Sequence, residues 1–160
     1  DAAIVRLLLR LGLRAGEVAA LDLDDVGWRA GELSVHGKGR HQSRLPLPAD
    51  VGGALAAYVR HGRPHARTRS LFLRVRAPNT GMRAGAIIHV VQTALQRASL
   101  TGSAHLLRHT AATQLLRRGA SLPEIAHVLR HRHIDTTAIY AKVDLDSLGA
   151  LVRPWPGVAP

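Results

Sequence analysis

The chain has 160 residues, a formal net charge of +11, 46% hydrophobic but only 3% aromatic residues, and no cysteine. That length suits one domain with a real core, built from Leu, Val, Ile and Ala rather than from rings. The lack of cysteine excludes a disulfide scaffold and cysteine-based zinc sites and fits a reducing, cytoplasmic setting, and no run approaches the roughly 18 apolar residues of a membrane span.

The charge favours a polyanion partner through counterion release and steering. The alternative is a solvated arginine-rich surface, given the Ala, Gly and Arg richness. Part of the acidity is clustered at Asp22, Asp24 and Asp25, leaving other faces more basic than the average. No signal peptide is visible, and no membrane partner is expected. The chain opens at Asp1 directly in an amphipathic pattern (Ile4, Leu8, Leu11), so we expect a piece of a longer protein.

Helical periodicity over residues 2–11 predicts a first helix, stopped by Gly12. A second runs from about Ala15 to Leu21, with Glu17 in its first turn. Residues 26–48 change character: Val26 to Trp28, Glu32 to His36 and Arg44 to Leu47 are short strands separated by Gly-rich turns. Pro46 and Pro48 confine the last of these to an edge or a strand end. Asp50 is expected to cap a helix over residues 51–60, ended near Gly62 and Pro64.

A short strand (Leu71 to Leu73) and a Pro/Asn/Gly loop then precede a helix over about 84–98, with Ile88, Val91 and Leu95 on one face. The next helix runs from about Ser103 to Arg118. Ser121-Leu-Pro-Glu124 is a capping-box signature that opens a helix through Val128. Asp135-Thr-Thr begins a segment carrying Tyr140, Asp144 caps a last helix, and the Pro/Gly-rich tail 154–160 is expected to be flexible. The fold class expected is mainly α with a small antiparallel β-sheet.

Chemistry concentrates in His105-Leu-Leu-Arg108-His109, Leu129-Arg-His131 and Tyr140. His105 and Arg108, three apart on a helix, point to one face. An arginine fork matches a phosphate bidentately, and histidine moves protons near neutral pH. A phenol becomes a nucleophile toward phosphorus once nearby cations lower its pKa from about 10. The set reads as metal-free phosphoryl transfer through a covalent phosphotyrosine. His105 and His109 also have the i, i+4 spacing of helical metal ligands, but HExxH and cysteine are both absent. We expect no metal and no cofactor, with His109 as a buried partner behind the site.

These segments resemble the tyrosine recombinase (phage integrase) family, whose usual pattern is His-x-x-Arg-His, then Leu-Gly-His, a Thr-Thr pair, and Tyr nine residues after that last His. Here they read AHLLRHTAATQLL, VLRHRHIDTT and AIYAKVD, and Tyr140 follows His131 by nine residues. Upstream, Leu11-Gly-Leu-Arg14-Ala-Gly-Glu17 resembles the family's first arginine box. Gly37-Lys38-Gly39 followed by Arg44-Leu-Pro-Leu resembles its lysine hairpin. The matches keep order and spacing over about 130 of the 160 residues.

The resemblance implies the catalytic domain over residues 1–153, without the family's usual N-terminal DNA-clamping domain. It implies double-stranded DNA as substrate, other recombinase protomers assembled on that DNA, and strand cleavage and rejoining in site-specific recombination or integration. Tyr140 is implied as the nucleophile that leaves a 3′-phosphotyrosyl bond and a free 5′-hydroxyl. Arg14 and Arg108 are implied as the phosphate clamp, with Glu17 placed to hold the Arg14 guanidinium. His105 and His131 are implied to bind phosphate and handle protons, and Lys38 to protonate the leaving 5′-oxygen. For Lys38 the plain alternative is a turn lysine; a P-loop is excluded because Gly-x4-Gly-Lys-Ser/Thr is missing.

The tail from Tyr140 through Arg153-Pro-Trp-Pro-Gly resembles integrases of mobile elements. One departure is Arg130, where the family usually has glycine before the histidine. Either the helix exit differs from the left-handed one that glycine permits, or Arg130 adds a phosphate contact. Two alternatives to a recombinase stay open at this point: a non-catalytic DNA-binding fragment, and a type IB topoisomerase that shares the chemistry.

Overall fold

The structure, a computed structural model, describes residues 1–37 and 42–130. Two compact units divide the chain, Asp1–Ala111 and Ala112–Pro160. The fold is mainly helical with one small antiparallel sheet, as the sequence predicts.

In the first unit, α1 (Ala2–Leu11) buries Ala3, Ile4, Leu7, Leu8 and Leu11. These sit at helical spacing, so one stripe meets the core, and each fully buried leucine contributes about 1.5–3 kcal/mol. Gly12 ends α1 in the left-handed region, at φ 57° and ψ 30°. Only a residue without Cβ takes that conformation at no steric cost. The turn then delivers Leu13 to the core and Arg14 to the start of α2 (Ala15–Ala19).

A 3₁₀ turn (Leu23–Asp25) leads into strands β1 (Val26–Gly27), β2 (Glu32–His36) and β3 (Gln42–Pro46), paired antiparallel in the order β1-β2-β3. Leu33 faces both Val26 and Leu45 across the ladders, and Leu33, Val35 and Leu45 are buried. This is the period-2 alternation of a sheet with one wet face. Pro46 pairs with Glu32 on the edge strand, where its missing N–H costs no ladder bond.

Helix α3 (Ala49–Ala57) differs from expectation at both ends. Its cap is Pro48, not Asp50. Proline at φ −58° and ψ 146° sets an extended entry, so the helix begins at once at Ala49. Asp50 instead lies in the first turn, where its carboxylate meets Arg10 Nε at 3.1 Å and favours the positive helix end. After Ala57 the helix widens into a π turn (Tyr58–Gly62). Tyr58 there packs on Phe72, ring centroids 5.1 Å apart, and its hydroxyl accepts the Leu73 N–H at 3.1 Å.

The segment Leu71 to Leu73 is buried but is not a strand. It forms only single bridges, Asp22 to Ser70 and Leu73 to Gly81. Its backbone is satisfied piecemeal: the Leu71 N–H donates to the Leu21 carbonyl at 2.8 Å, the Phe72 carbonyl accepts the Met82 N–H at 2.9 Å, and the Arg63 guanidinium donates to the carbonyls of Leu71 and, just before it, Thr68 and Ser70 at 2.8–3.3 Å. A side chain thus supplies donors that a neighbouring strand would have supplied.

Helix α4 (Ala84–Arg97) buries Ile87 and Val91, with Leu95 packed beside them. Ile88, expected inward, is 37% exposed. With two adjacent isoleucines the pattern fits either rotation of the helix, and packing chose the one that aligns residues 87, 91 and 95. Helix α5 (Ala104–Arg117) places Ala104, Leu107 and Arg108 among the buried residues of the first unit.

In the second unit, Ala112, Ile125 and Leu129 form a small core with Leu115, Leu116 and Ala120 against it. Helix α6 (Leu122–Leu129) starts at the expected capping box: the Ser121 N–H donates to Glu124 Oε2 at 2.8 Å, and the Glu124 N–H reaches Ser121 Oγ at 3.5 Å. The expected Tyr140 segment, the helix capped by Asp144 and the tail 154–160 lie outside the described residues.

Candidate active site

Arg14 occupies the N-cap of α2, with extended backbone at φ −81° and ψ 151°. Its neighbour Glu17 holds it twice. Glu17 Oε2 accepts the Arg14 main-chain N–H at 2.8 Å, and Oε1 accepts from the guanidinium Nη1 at 2.8 Å. The Glu17 side chain is 7% exposed whereas that of Arg14 is 46% exposed. A buried carboxylate thus fixes one edge of a half-exposed guanidinium. This is the partner role expected for Glu17.

Arg108 is 4% exposed, one of the two buried charged residues among those described; the other is Glu17. Its Nη1 donates to the carbonyl oxygen of Gly12, the residue that ends α1. Arg108 is thereby held by the main chain of the same short turn, Gly12 to Arg14, that leads Arg14 into α2. The left-handed geometry of Gly12 positions the carbonyl, and its acceptor role carries no signal in the sequence.

His105 lies one helical turn before Arg108 on α5 but is exposed. Its ring meets that of His109 edge to face, with centroids 4.3 Å apart and planes at 85°. His109 is half-buried rather than buried, and its pKa is held below the usual 6.5, first by burial and then by the charges of His105 and Arg108. The neutral form of His109 is thus the favoured one. Among the described residues no group of three or more His, Cys, Asp or Glu gathers in a way that holds a metal.

Lys38, His131 and Tyr140 lie outside the described residues. What is described beside Lys38 is the last residue of β2, His36, whose Nε2 lies 2.8 Å from Asp25 Oδ1. Asp25 Oδ2 accepts the Asp22 N–H at 2.9 Å, so one carboxylate ties the 3₁₀ turn to the strand leading to Lys38. Sequence reasoning did not single out this link.

Before His131, Arg130 adopts φ 55° and ψ 46° at the end of α6. The left-handed exit that glycine usually provides is thus kept, with an arginine carrying it. Its Nη1 donates to the Val128 carbonyl at 2.9 Å.

A mainly helical domain with a three-stranded antiparallel sheet, and two arginines drawn to the turn after its first helix, has the fold of tyrosine recombinase catalytic domains. The crystal structure of XerA recombinase superposes with a TM-score of 0.79 at 27% identity, covering 96% of this chain and 56% of that one. The chain belongs to the phage integrase family, whose profile matches residues 1–146. It is 49% identical over 164 residues to y4rA of Sinorhizobium fredii, and 34% identical over 165 residues to the tyrosine recombinase XerD of Mycobacterium tuberculosis. Each alignment takes in 99% of this chain, which spans 40% of y4rA and 51% of XerD.

Proposed function

We propose that the chain is the catalytic part of a site-specific recombinase or integrase that cleaves and rejoins double-stranded DNA without metal, assembled with other protomers on its site. The observation that carries this reading is the anchoring of Arg108 on the Gly12 carbonyl, two residues before Arg14, whose own guanidinium is held by Glu17. Charge in phosphoryl transfer spreads over the non-bridging oxygens, so a preorganised pair of guanidinium groups lowers the barrier by electrostatics and positioning. Burial of Arg108 and the ion pair behind Arg14 reduce the reorganisation needed when a phosphate arrives. Membership of the family supports the same assignment.

In this mechanism the Tyr140 oxygen attacks the scissile phosphorus as its phenol loses a proton to a neighbouring base, with His105 or His131 suited to that transfer. The bond from phosphorus to the 5′-oxygen breaks, and Lys38 delivers a proton to the departing oxygen. The product is a 3′-phosphotyrosyl bond and a 5′-hydroxyl. Rejoining is the reverse attack by a 5′-hydroxyl, which conserves the bond energy and needs no nucleotide cofactor.

The test is covalent capture on a nicked duplex that loses its 5′-hydroxyl fragment on cleavage. The wild-type chain gives a denaturation-resistant protein–DNA adduct that survives excess EDTA, while Tyr140→Phe binds DNA and gives none. An adduct in the Phe variant, or strict dependence on magnesium, overturns the reading.

A further inference from the structure

The net charge of this protein is not spread along it. Residues 1–50 carry seven basic and seven acidic side chains, and residues 124–160 carry four of each. Residues 51–123 carry eleven arginines and no acid, so the whole +11 arises there.

Several of these arginines are already committed. Arg63 holds the carbonyls of Thr68, Ser70 and Leu71, Arg69 pairs with Asp24, Arg97 with Asp1, and Arg108 serves Gly12. Arg74 and Arg76 are exposed and have no carboxylate within ion-pair distance among the described residues. Between them sits Val75, 83% exposed, the most exposed large hydrophobic among the described residues.

The loop that carries them is built rather than slack. Its base is Leu71, Phe72 and Leu73, all at most 3% exposed. The chain returns through the bridge from Leu73 to Gly81, the Arg74 N–H to Thr80 oxygen bond at 2.9 Å and the Met82 N–H to Phe72 oxygen bond at 2.9 Å. Inside the turn, Asn79 Nδ2 donates to the carbonyls of Arg74 and Val75 at 2.9 and 3.1 Å. At Gly81 a Cβ would lie 2.9 Å from Ser70 Oγ and 3.1 Å from Ser70 Cβ, so the returning chain passes close against Ser70. A tip anchored in this way loses little conformational entropy on binding, which is the condition for affinity from few contacts.

We propose that the tip Arg74-Val75-Arg76 is a second contact with the DNA backbone, separate from the Arg14 and Arg108 clamp. Arg74 and Arg76 neutralise phosphates, and Val75 packs on sugars between them. The proposal rests on the DNA-cleaving reading above and adds a place on the protein from which sequence-independent affinity comes. An acidic protein surface is the competing occupant. A duplex is favoured because the flanking 73 residues offer one sign of charge only, the pattern that suits a uniform polyanion.

The experiment is a salt titration of duplex binding from 50 to 200 mM by the full chain. Each phosphate contact contributes about 0.9 to the slope of log K against log salt. The double variant Arg74→Gln, Arg76→Gln should therefore flatten the slope by about 1.8, and Arg74→Lys with Arg76→Lys should restore it. Val75→Ser should weaken binding by a similar factor at every salt concentration and leave the slope alone.

An unchanged slope in the Gln variant overturns the proposal. So does equal flattening in Arg29→Gln, which sits on an exposed turn outside the charged stretch, or loss of self-association in place of DNA binding. The covalent-adduct assay on the wild-type chain separates the two ideas. An adduct with an unchanged slope sinks the loop contact alone, whereas no adduct sinks the catalytic reading whatever the slope.

Discussion

Arg108 on α5 donates a hydrogen bond to the carbonyl of Gly12, 96 residues earlier, so the arginine of the His-x-x-Arg segment is fixed by the backbone of the turn that presents Arg14. The bond ties α5 to the end of α1. Structure and proposed chemistry use the same side chain.

From this, Arg108→Ala should cost stability as well as activity. The Gly12 carbonyl loses a buried donor, an effect worth about 1–3 kcal/mol. Arg14→Ala removes a half-exposed side chain but leaves the Glu17 carboxylate, almost fully buried, without that cation. Glu17→Gln keeps an acceptor for the Arg14 N–H but turns an amide NH2 toward the guanidinium, so it should release that guanidinium, slow cleavage and lower the unfolding midpoint modestly. Urea unfolding and single-turnover adduct formation on the same variants separate the two effects.

The general-acid role proposed for Lys38 makes a chemical prediction. Lys38→Ala should slow cleavage by about 10² to 10⁴, the usual range for this kind of catalysis. A substrate with sulfur at the 5′ leaving position needs little protonation and should recover most of the loss. Equal impairment on both substrates would reassign Lys38 to binding.

His109 sets a pH dependence of stability. Burial first, then His105 and Arg108, holds its folded pKa below the 6.5 of an unperturbed histidine. Below about pH 6.5 the unfolded chain takes up this proton before the folded chain does. Stability contributed by neutral His109 is therefore intact above pH 6.5 and is lost as pH falls through that value toward the folded pKa. His109→Phe keeps a ring against His105 and should flatten the urea midpoint between pH 7 and pH 5. A midpoint profile identical to the wild type would show that other groups set the dependence.

Arg130 pays a backbone strain that a glycine would not. A residue with a Cβ at φ 55° is disfavoured by roughly 1–2 kcal/mol. Arg130→Gly should raise stability by up to about 1 kcal/mol, less whatever the bond to the Val128 carbonyl contributes. Arg130→Val, β-branched at the same φ, should lower it. Thermal melting of both variants checks the sign.

Periodicity and punctuation made much of the fold legible in the sequence. The stripe of α1, its stop at Gly12, the edge position of Pro46 and the Ser121 to Glu124 box are local effects, decided within one or two turns by sterics and by unsatisfied N–H groups. The pairing of Arg14 with Glu17 is of the same kind, since three residues at a helix start bring them together. The order and spacing of the motifs likewise carry the family resemblance in the sequence alone.

Other features depended on residues distant in the chain. Ile87 rather than Ile88 faces inward because neighbouring elements chose between two equally apolar rotations of α4. Leu71 to Leu73 reads as a strand by composition, yet its backbone groups go to scattered partners, Leu21, Met82, the Tyr58 hydroxyl and the Arg63 guanidinium, rather than to one neighbouring strand. The meeting of Arg108 with Gly12 needed the tertiary structure most of all. A main-chain carbonyl carries no residue-type signal, and only the packing of α5 against the end of α1 makes that oxygen the partner of that arginine.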